Sequence, residues 1–185
     1  MSVLVITPPE LIVSLETAKA HLRVTTDDED ALITAYLEAA QSSLDGPHGW
    51  LGRAIGLQTL EWRGDEFPDG CTPLPFAPVR EVEEVGYTDA AGEELTVDVD
   101  RFVVQPDGRL RLVRGASWPS HDGNPGTVRV RYVAGFDPVP AAVGQAILLL
   151  IGQWFRNRSA VNVGNIVNAM PNGVEALLSP YRFFG

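Results

Sequence analysis

Side chains able to do chemistry are few along these 185 residues, and their spacing suits it poorly. His21, His48 and His121 fall in a helical stretch, a Gly-Pro loop and a Gly/Pro/Ser loop, with no second histidine at the spacing of a metal-binding helix. His121-Asp122 could supply a base and its orienting carboxylate. Neighbours in one loop rarely face the same nucleophile, however, so a solvated turn is the simpler reading. Asp27-Asp28-Glu29-Asp30, and Asp65-Glu66 with Asp69, are the carboxylate clusters a cation would use. The first reads as helix capping, and the second lies among Gly64, Pro68 and Gly70, where Asp favours turns; neither has the ligand alternation of a calcium loop. Gly46, Gly49 and Gly52 surround Pro47 and precede β-rich sequence, the wrong context for a dinucleotide fingerprint. No H-E-x-x-H, EF-hand, P-loop or G-x-S-x-G string occurs. The reading assigns no catalytic, metal-ligating or cofactor-binding residue, and expects no cofactor and no enzyme. A hydrolase built on His121-Asp122 or on the Asp65-Glu66-Asp69 cluster ranks behind every binding role.

Composition narrows the class. With 45% apolar and 21% charged residues the chain has material for one domain, or one domain carrying an insertion. Cys71 is the single cysteine, which excludes an internal disulfide framework and a Cys-rich zinc site. The most apolar stretch, Ala141 to Phe155, is interrupted by Gln145 and Gln153 and is too short to span a bilayer, so no membrane partner is expected. Residues 1 to 13 lack a basic start and contain Pro8 and Pro9, unlike a signal peptide, so assembly in a cytoplasm is expected. The net charge of −10 is uneven: residues 1 to 100 carry 5 basic and 20 acidic groups, and residues 101 to 185 carry 9 and 4. The halves are electrostatically complementary. Thirteen of the 14 basic residues are Arg, the cation favoured where pairing geometry at an interface is fixed, although a coding bias explains the same count. An acidic chain without a basic helix is repelled by phosphate, which argues against sequence-specific nucleic-acid binding.

The elements that must position these residues are legible in outline. Ser14 to Leu22 has Leu15, Ala18 and Leu22 at helical spacing with Ser14 available as cap. Thr26-Asp27-Asp28-Glu29 matches a capping box, and the helix it predicts runs to about Asp45. Leu32, Ile33, Tyr36, Leu37, Ala40 and Leu44 share one face of it, Thr34, Glu38, Gln41 and Asp45 the other, and Gly46-Pro47 stops it. From Ala54 to Val133 short β-segments take over: Leu57 to Arg63, Val79 to Thr88, Leu95 to Val99, Phe102 to Gln105, Arg109 to Val113 and Thr127 to Val133, with a hairpin signal at Asp107-Gly108. Val128, Val130 and Tyr132 alternate with Arg129 and Arg131, which predicts one buried face and one arginine face. Helix resumes after Asp137-Pro138-Val139-Pro140, read as a cap-and-proline start. Val143, Ala146, Ile147, Leu150, Ile151 and Trp154 fill one face, widened by Leu148 and Phe155, an arc broad enough to be covered on two sides. A short helix around Gly173 to Leu178 follows a loop.

The order helix, β-insert, helix predicts an α+β fold. Residues 1–53 and 134–185 would form a discontinuous helical core, N-terminal helices plus a long C-terminal helix, and residues 54–133 an inserted antiparallel β-rich subdomain. The densest aromatic and basic cluster is Trp154-Phe155-Arg156-Asn157-Arg158. Trp and Arg dominate binding hot spots, so Trp154, Arg156 and Arg158 are candidate interface residues, together with Tyr181, Arg182, Phe183 and Phe184 at the terminus and Arg129 and Arg131 on the arginine face.

In this order the pieces resemble the head–tail connector, or neck adaptor, proteins of long-tailed phages and gene transfer agents. The resemblance is carried by Leu15-x-x-Ala18-Lys19-x-His21-Leu22-Arg23-Val24, Asp27-Asp28, the helix through Tyr36 and Ala39-Ala40, and Gly52-Arg53-Ala54 with Gln58-Thr59. Tyr132-Val133-Ala134-Gly135-Phe136, Val139-Pro140, Gln145-Ala146-Ile147, the Trp154 to Arg158 cluster and Gly173-Val174-x-x-Leu177-Leu178-x-Pro180-Tyr181-Arg182 complete it. Gly46-Pro47-His48-Gly49-Trp50 departs from the pattern, since relatives commonly continue helix there. The resemblance implies a structural virion protein located at the neck between capsid and tail. It implies a homo-oligomeric ring, 12 copies, between the portal protein and a downstream neck or tail-completion protein. DNA would pass through its channel without sequence-specific binding. Another non-enzymatic tail-completion or terminator-like module is the alternative.

Overall fold

The computed structural model describes residues 2–71, 73–157 and 170–183. Aliphatic and β-branched residues without a charge make Ser2–Thr7 a strand, β1, which ends before Pro8 and Pro9. It pairs antiparallel with β2 (Gln58–Gly64), placing Val3 opposite Trp62 and Leu4 opposite Glu61. Next come β3 (Val79–Thr88), β4 (Glu94–Thr96), β5 (Phe102–Val104), β6 (Leu110–Leu112) and β7 (Val128–Ala134). Five of them form one antiparallel sheet in the order β1-β2-β7-β3-β4. The other two, β5 and β6, form a hairpin whose turn carries Asp107 and Gly108, as the Asp-Gly pair predicts.

The period-2 pattern of β7 is realised residue by residue. Val128, Val130 and Tyr132 are fully buried, and together with Leu60, Trp62, Val85, Phe102 and Leu110 they form the core beneath the sheet. Arg129 and Arg131 emerge on its other face. Tyr132 satisfies its buried hydroxyl by donating to the Pro75 carbonyl at 2.8 Å.

The helices are α1 (Leu15–Leu22), α2 (Asp30–Leu44), α3 (Ala141–Arg156) and α4 (Asn172–Leu178). Ser14 caps α1 by accepting from the Thr17 N–H at 3.2 Å. Helix α3 buries Val143, Ala146, Ile147, Leu150 and Ile151, and α1, α2 and α4 all pack against it. Its apolar arc is wide because three helices of its own unit cover it. Gly152 is buried because His21 of α1 packs there: a Cβ at Gly152 would lie 3.2 Å from the His21 Nε2. Gln41, expected on the polar face of α2, is buried too, since its amide accepts from the Ile12 N–H and donates to the Glu10 carbonyl.

The expected helical core with a long C-terminal helix and an inserted β-region is overturned, although α and β elements are both present. Among the described residues there are four helices, none longer than the 16 residues of α3, beside the five-stranded and the two-stranded sheets. The largest sheet is not purely an insertion, because its edge strand β1 precedes every helix. The run Val3-Leu4-Val5-Ile6 was a strand signal, and reading residues 1–13 only for targeting missed it.

Contacts divide the chain into two compact units, Met1–Pro9 with Arg53–Asp137 and Glu10–Gly52 with Pro138–Gly185. The capping box also fails. Helix α2 begins at Asp30 with Glu29 at its cap position and no side-chain cap, and the Lys19 ammonium pairs with the Asp27 and Asp30 carboxylates at 2.6 Å each. Pro140, not Asp137, holds the cap position of α3. No described helix is long and apolar enough to cross a membrane.

Candidate functional site

On the outer face of the large sheet, charges meet in register. Glu61 of β2 lies opposite Arg131 of β7 and accepts from its guanidinium at 2.9 Å through Oε2. Its Oε1 accepts from Arg63 Nε at 2.8 Å. Burial opposes ionisation of Glu61, but hydrogen bonds from Arg131 and Arg63, aided by their charges, outweigh it and hold the carboxyl below its ordinary value. Arg129 forms a two-pronged pair with Glu94 of β4 at 2.9 and 3.1 Å, which lowers the Glu94 carboxyl and raises the guanidinium. The arginine face is therefore an Arg–Glu lattice that ties β2, β7 and β4 together. Arg131 is 40% exposed and Arg129 27%.

The aromatic and basic candidates of the helical unit fall at two places. Trp154, half-buried, packs edge-on against Tyr36 of α2, with ring centroids 6.1 Å apart. Arg156 is exposed and turns its Nε back onto the Gly152 carbonyl at 3.1 Å. At the terminus, Ser179–Tyr181 forms a single 3-10 turn, after which the chain runs beside residues 50–52. The Arg182 guanidinium sits 4.1 Å from the centre of the Trp50 ring, and the Phe183 N–H donates to the Leu51 carbonyl at 2.9 Å. Gly52, at φ 64°, makes this approach possible, because a Cβ there would lie 2.9 Å from the Phe183 carbonyl oxygen. Tyr181 is half-buried, and the Phe183 side chain is 49% exposed. Arg158 and Phe184 lie outside the described residues.

The residues first considered for catalysis are not assembled for it. His121 Nε2 pairs with Glu66 at 3.0 Å, and its Nδ1 accepts from the Gly123 N–H. Asp122 instead bonds the backbone and side chain of Asn124, so it does not orient the imidazole. The His121 ring meets Phe67 edge-on, and Phe67 stacks on Trp118 with centroids 4.7 Å apart. A cavity of about 470 Å³ nearby is walled by Trp62, Phe67, Pro68, Pro73, Leu74 and Pro75 and bordered by Asp65, Glu66 and Asp69. Asp65 and Asp69 are used by loop N–H groups of Gly126 and Cys71. Among the described residues no three His, Cys, Asp or Glu side chains are grouped to hold a metal. Sequence reasoning missed Trp50, the seat of Arg182, and the exposed apolar edge Leu4-Val5-Ile6.

Comparisons with known proteins agree with this distribution of features. Residues 12–70 match the phage gp6-like head–tail connector protein family. The chain is similar over 100% of its length to a subunit in the neck of an empty gene transfer agent particle computed with C6 symmetry, at 28% identity, 97% coverage of that subunit and a TM-score of 0.76. A subunit in the virion of a native gene transfer agent particle gives the same values. One in the neck of the native particle computed with C12 symmetry gives 27% identity, the same coverages and a TM-score of 0.72. No curated protein matches the sequence.

The fold is thus that of a structural protein class found in the virion neck. The resemblance read from the sequence is supported: residues 12–70 match the head–tail connector family, and the whole chain is similar in fold to subunits of the gene transfer agent neck.

Proposed function

We propose that the chain forms a dodecameric ring between the portal and the next neck or tail component, leaving an axial channel through which DNA passes during packaging retention and ejection. The observation that carries this reading is the full-length likeness to a gene transfer agent neck subunit, one copy of which comes from a neck computed with C12 symmetry. The chain acts without catalysis and without a cofactor, through contacts alone. Trp154, Arg156, Tyr181, Arg182 and Phe183, with Arg158 and Phe184, supply contacts to neighbours or portal, and Arg129 and Arg131 contribute from the sheet face. Net negative charge suits a DNA conduit, because carboxylates near the lumen repel phosphate and limit sticking.

Single-particle imaging of the purified chain mixed with its portal tests the reading. A twelve-fold ring of this chain seated on the portal is the expected result. Free monomer beside bare portal, together with virions lacking this chain at the neck, would remove it.

A further inference from the structure

Three consecutive exposed apolar side chains of the β unit lie on one strand. Leu4, Val5 and Ile6, 44 to 45% exposed, lie on β1, while Leu95, 39% exposed, lies on β4. β1 and β4 are the two opposite edges of one sheet. Edge strands of natural proteins are kept short or carry charges that discourage further pairing. β4 obeys this rule, with three residues and Glu94. β1 does not: its six residues carry no charge, and its side away from β2 faces no described strand. Such an edge is a template for another strand, and main-chain hydrogen bonds there would add to the burial of its three aliphatic side chains.

Strand direction says which partner strand fits. Every neighbouring pair from β1 to β4 is antiparallel, and four such steps leave β1 and β4 pointing the same way. A rotation about a ring axis brings two different surfaces of identical subunits together, whereas a two-fold axis brings like to like. In a ring, β4 of one copy can therefore approach β1 of the next in parallel; a two-fold pair would set β1 antiparallel to β1. The opposed edges are also matched in chemistry. Glu94, the charge on β4, is already neutralised by Arg129 of its own sheet, so the uncharged β1 meets it without stranding a carboxylate.

We propose that the free edge of β1 docks the β4 edge of a second copy of this chain, joining neighbouring sheets edge to edge around the ring and bringing the Leu4-Val5-Ile6 strand beside Leu95. The inference rests on the ring reading above.

The test uses the full chain in a Cys71→Ser background, with Leu4→Cys and Leu95→Cys introduced in separate preparations, mixed, assembled on portal and treated with a short bismaleimide. A cross-linked dimer from the mixture, and from neither variant alone, is expected. Leu4→Lys, at an exposed position, is expected to leave the melting temperature unchanged while weakening ring assembly about tenfold or more. Cross-linking by Leu4→Cys alone would show two-fold β1–β1 pairing and overturn the proposal. Rings complete by imaging but without the mixed product would overturn it while the ring reading stands, and absence of any ring would remove both.

Discussion

Glu61 and Arg131 face one another across the β2–β7 register at 2.9 Å, and the glutamate side chain is 4% exposed while the arginine remains 40% exposed. The carboxylate is thus the buried hub of the sheet's outer face, with Arg63 on its other oxygen, and the arginines are its solvated cover.

Glu61→Gln keeps the shape and removes the charge that two guanidiniums share. The expected cost is about 2 kcal/mol, or roughly 4–8 °C in Tm by calorimetry at neutral pH. Because the folded-state carboxyl is held below its ordinary value, its stabilisation is complete above the unfolded value of about 4.3 and is lost as pH falls through the lower folded value. The gap between the native chain and Glu61→Gln should therefore narrow as pH drops below about 4. A gap independent of pH would show that the charge is not what stabilises the pair.

Gly135 follows β7 at φ 131°, where a Cβ would overlap the Gly56 carbonyl oxygen, and its own carbonyl accepts from Arg80 Nε at 2.9 Å. Gly135→Ala meets both backbone strain and a backbone clash, and should cost about 3 kcal/mol or more in chemical denaturation. A loss below 1 kcal/mol, the range of an ordinary surface change, would mean this junction relaxes freely.

Tyr132 has a fully buried hydroxyl whose ionisation burial opposes strongly. Tyr132→Phe should lose about 1 kcal/mol by leaving the Pro75 carbonyl unpaired. Raised in the folded state, the hydroxyl favours folding fully below its unfolded value of about 10, and that contribution fades as pH rises beyond it. Denaturant midpoints measured on the alkaline side should accordingly fall more steeply for the native chain than for Tyr132→Phe.

Removing residues 182–185 deletes the Arg182–Trp50 contact and the Phe183 hydrogen bond to Leu51. A half-buried cation–π pair of this kind is worth about 1 kcal/mol, so Tm should fall by no more than about 4 °C. Attachment to portal or to neighbouring copies, read by pull-down and imaging, should nevertheless be impaired. Unchanged attachment would mean that this terminus serves only local packing.

Much of the architecture follows from local pattern. The alternation Val128-Arg129-Val130-Arg131-Tyr132 specified which face of β7 is core, because side chains in a strand point to opposite sides in turn. Ser14 named its helix and Gly46-Pro47 ended the next one for equally local reasons. The capping box did not form: α2 begins only at Asp30, and the two carboxylates that flank its start, Asp27 and Asp30, pair with Lys19, eight and eleven residues earlier. That pairing depends on how α1 lies beside the start of α2.

The amino-acid sequence by itself determined the absence of a recognisable catalytic motif, the division into charged halves and the ordered strings that mark a head–tail connector; composition and spacing are properties of the chain alone. Only the tertiary structure decided what those charges and aromatics touch. It placed β1 at the sheet edge, Glu61 between two arginines, and Arg182 on Trp50, pairings 132 residues apart in the last case. Contacts at such separation depend on the packing of whole elements, which no local pattern encodes.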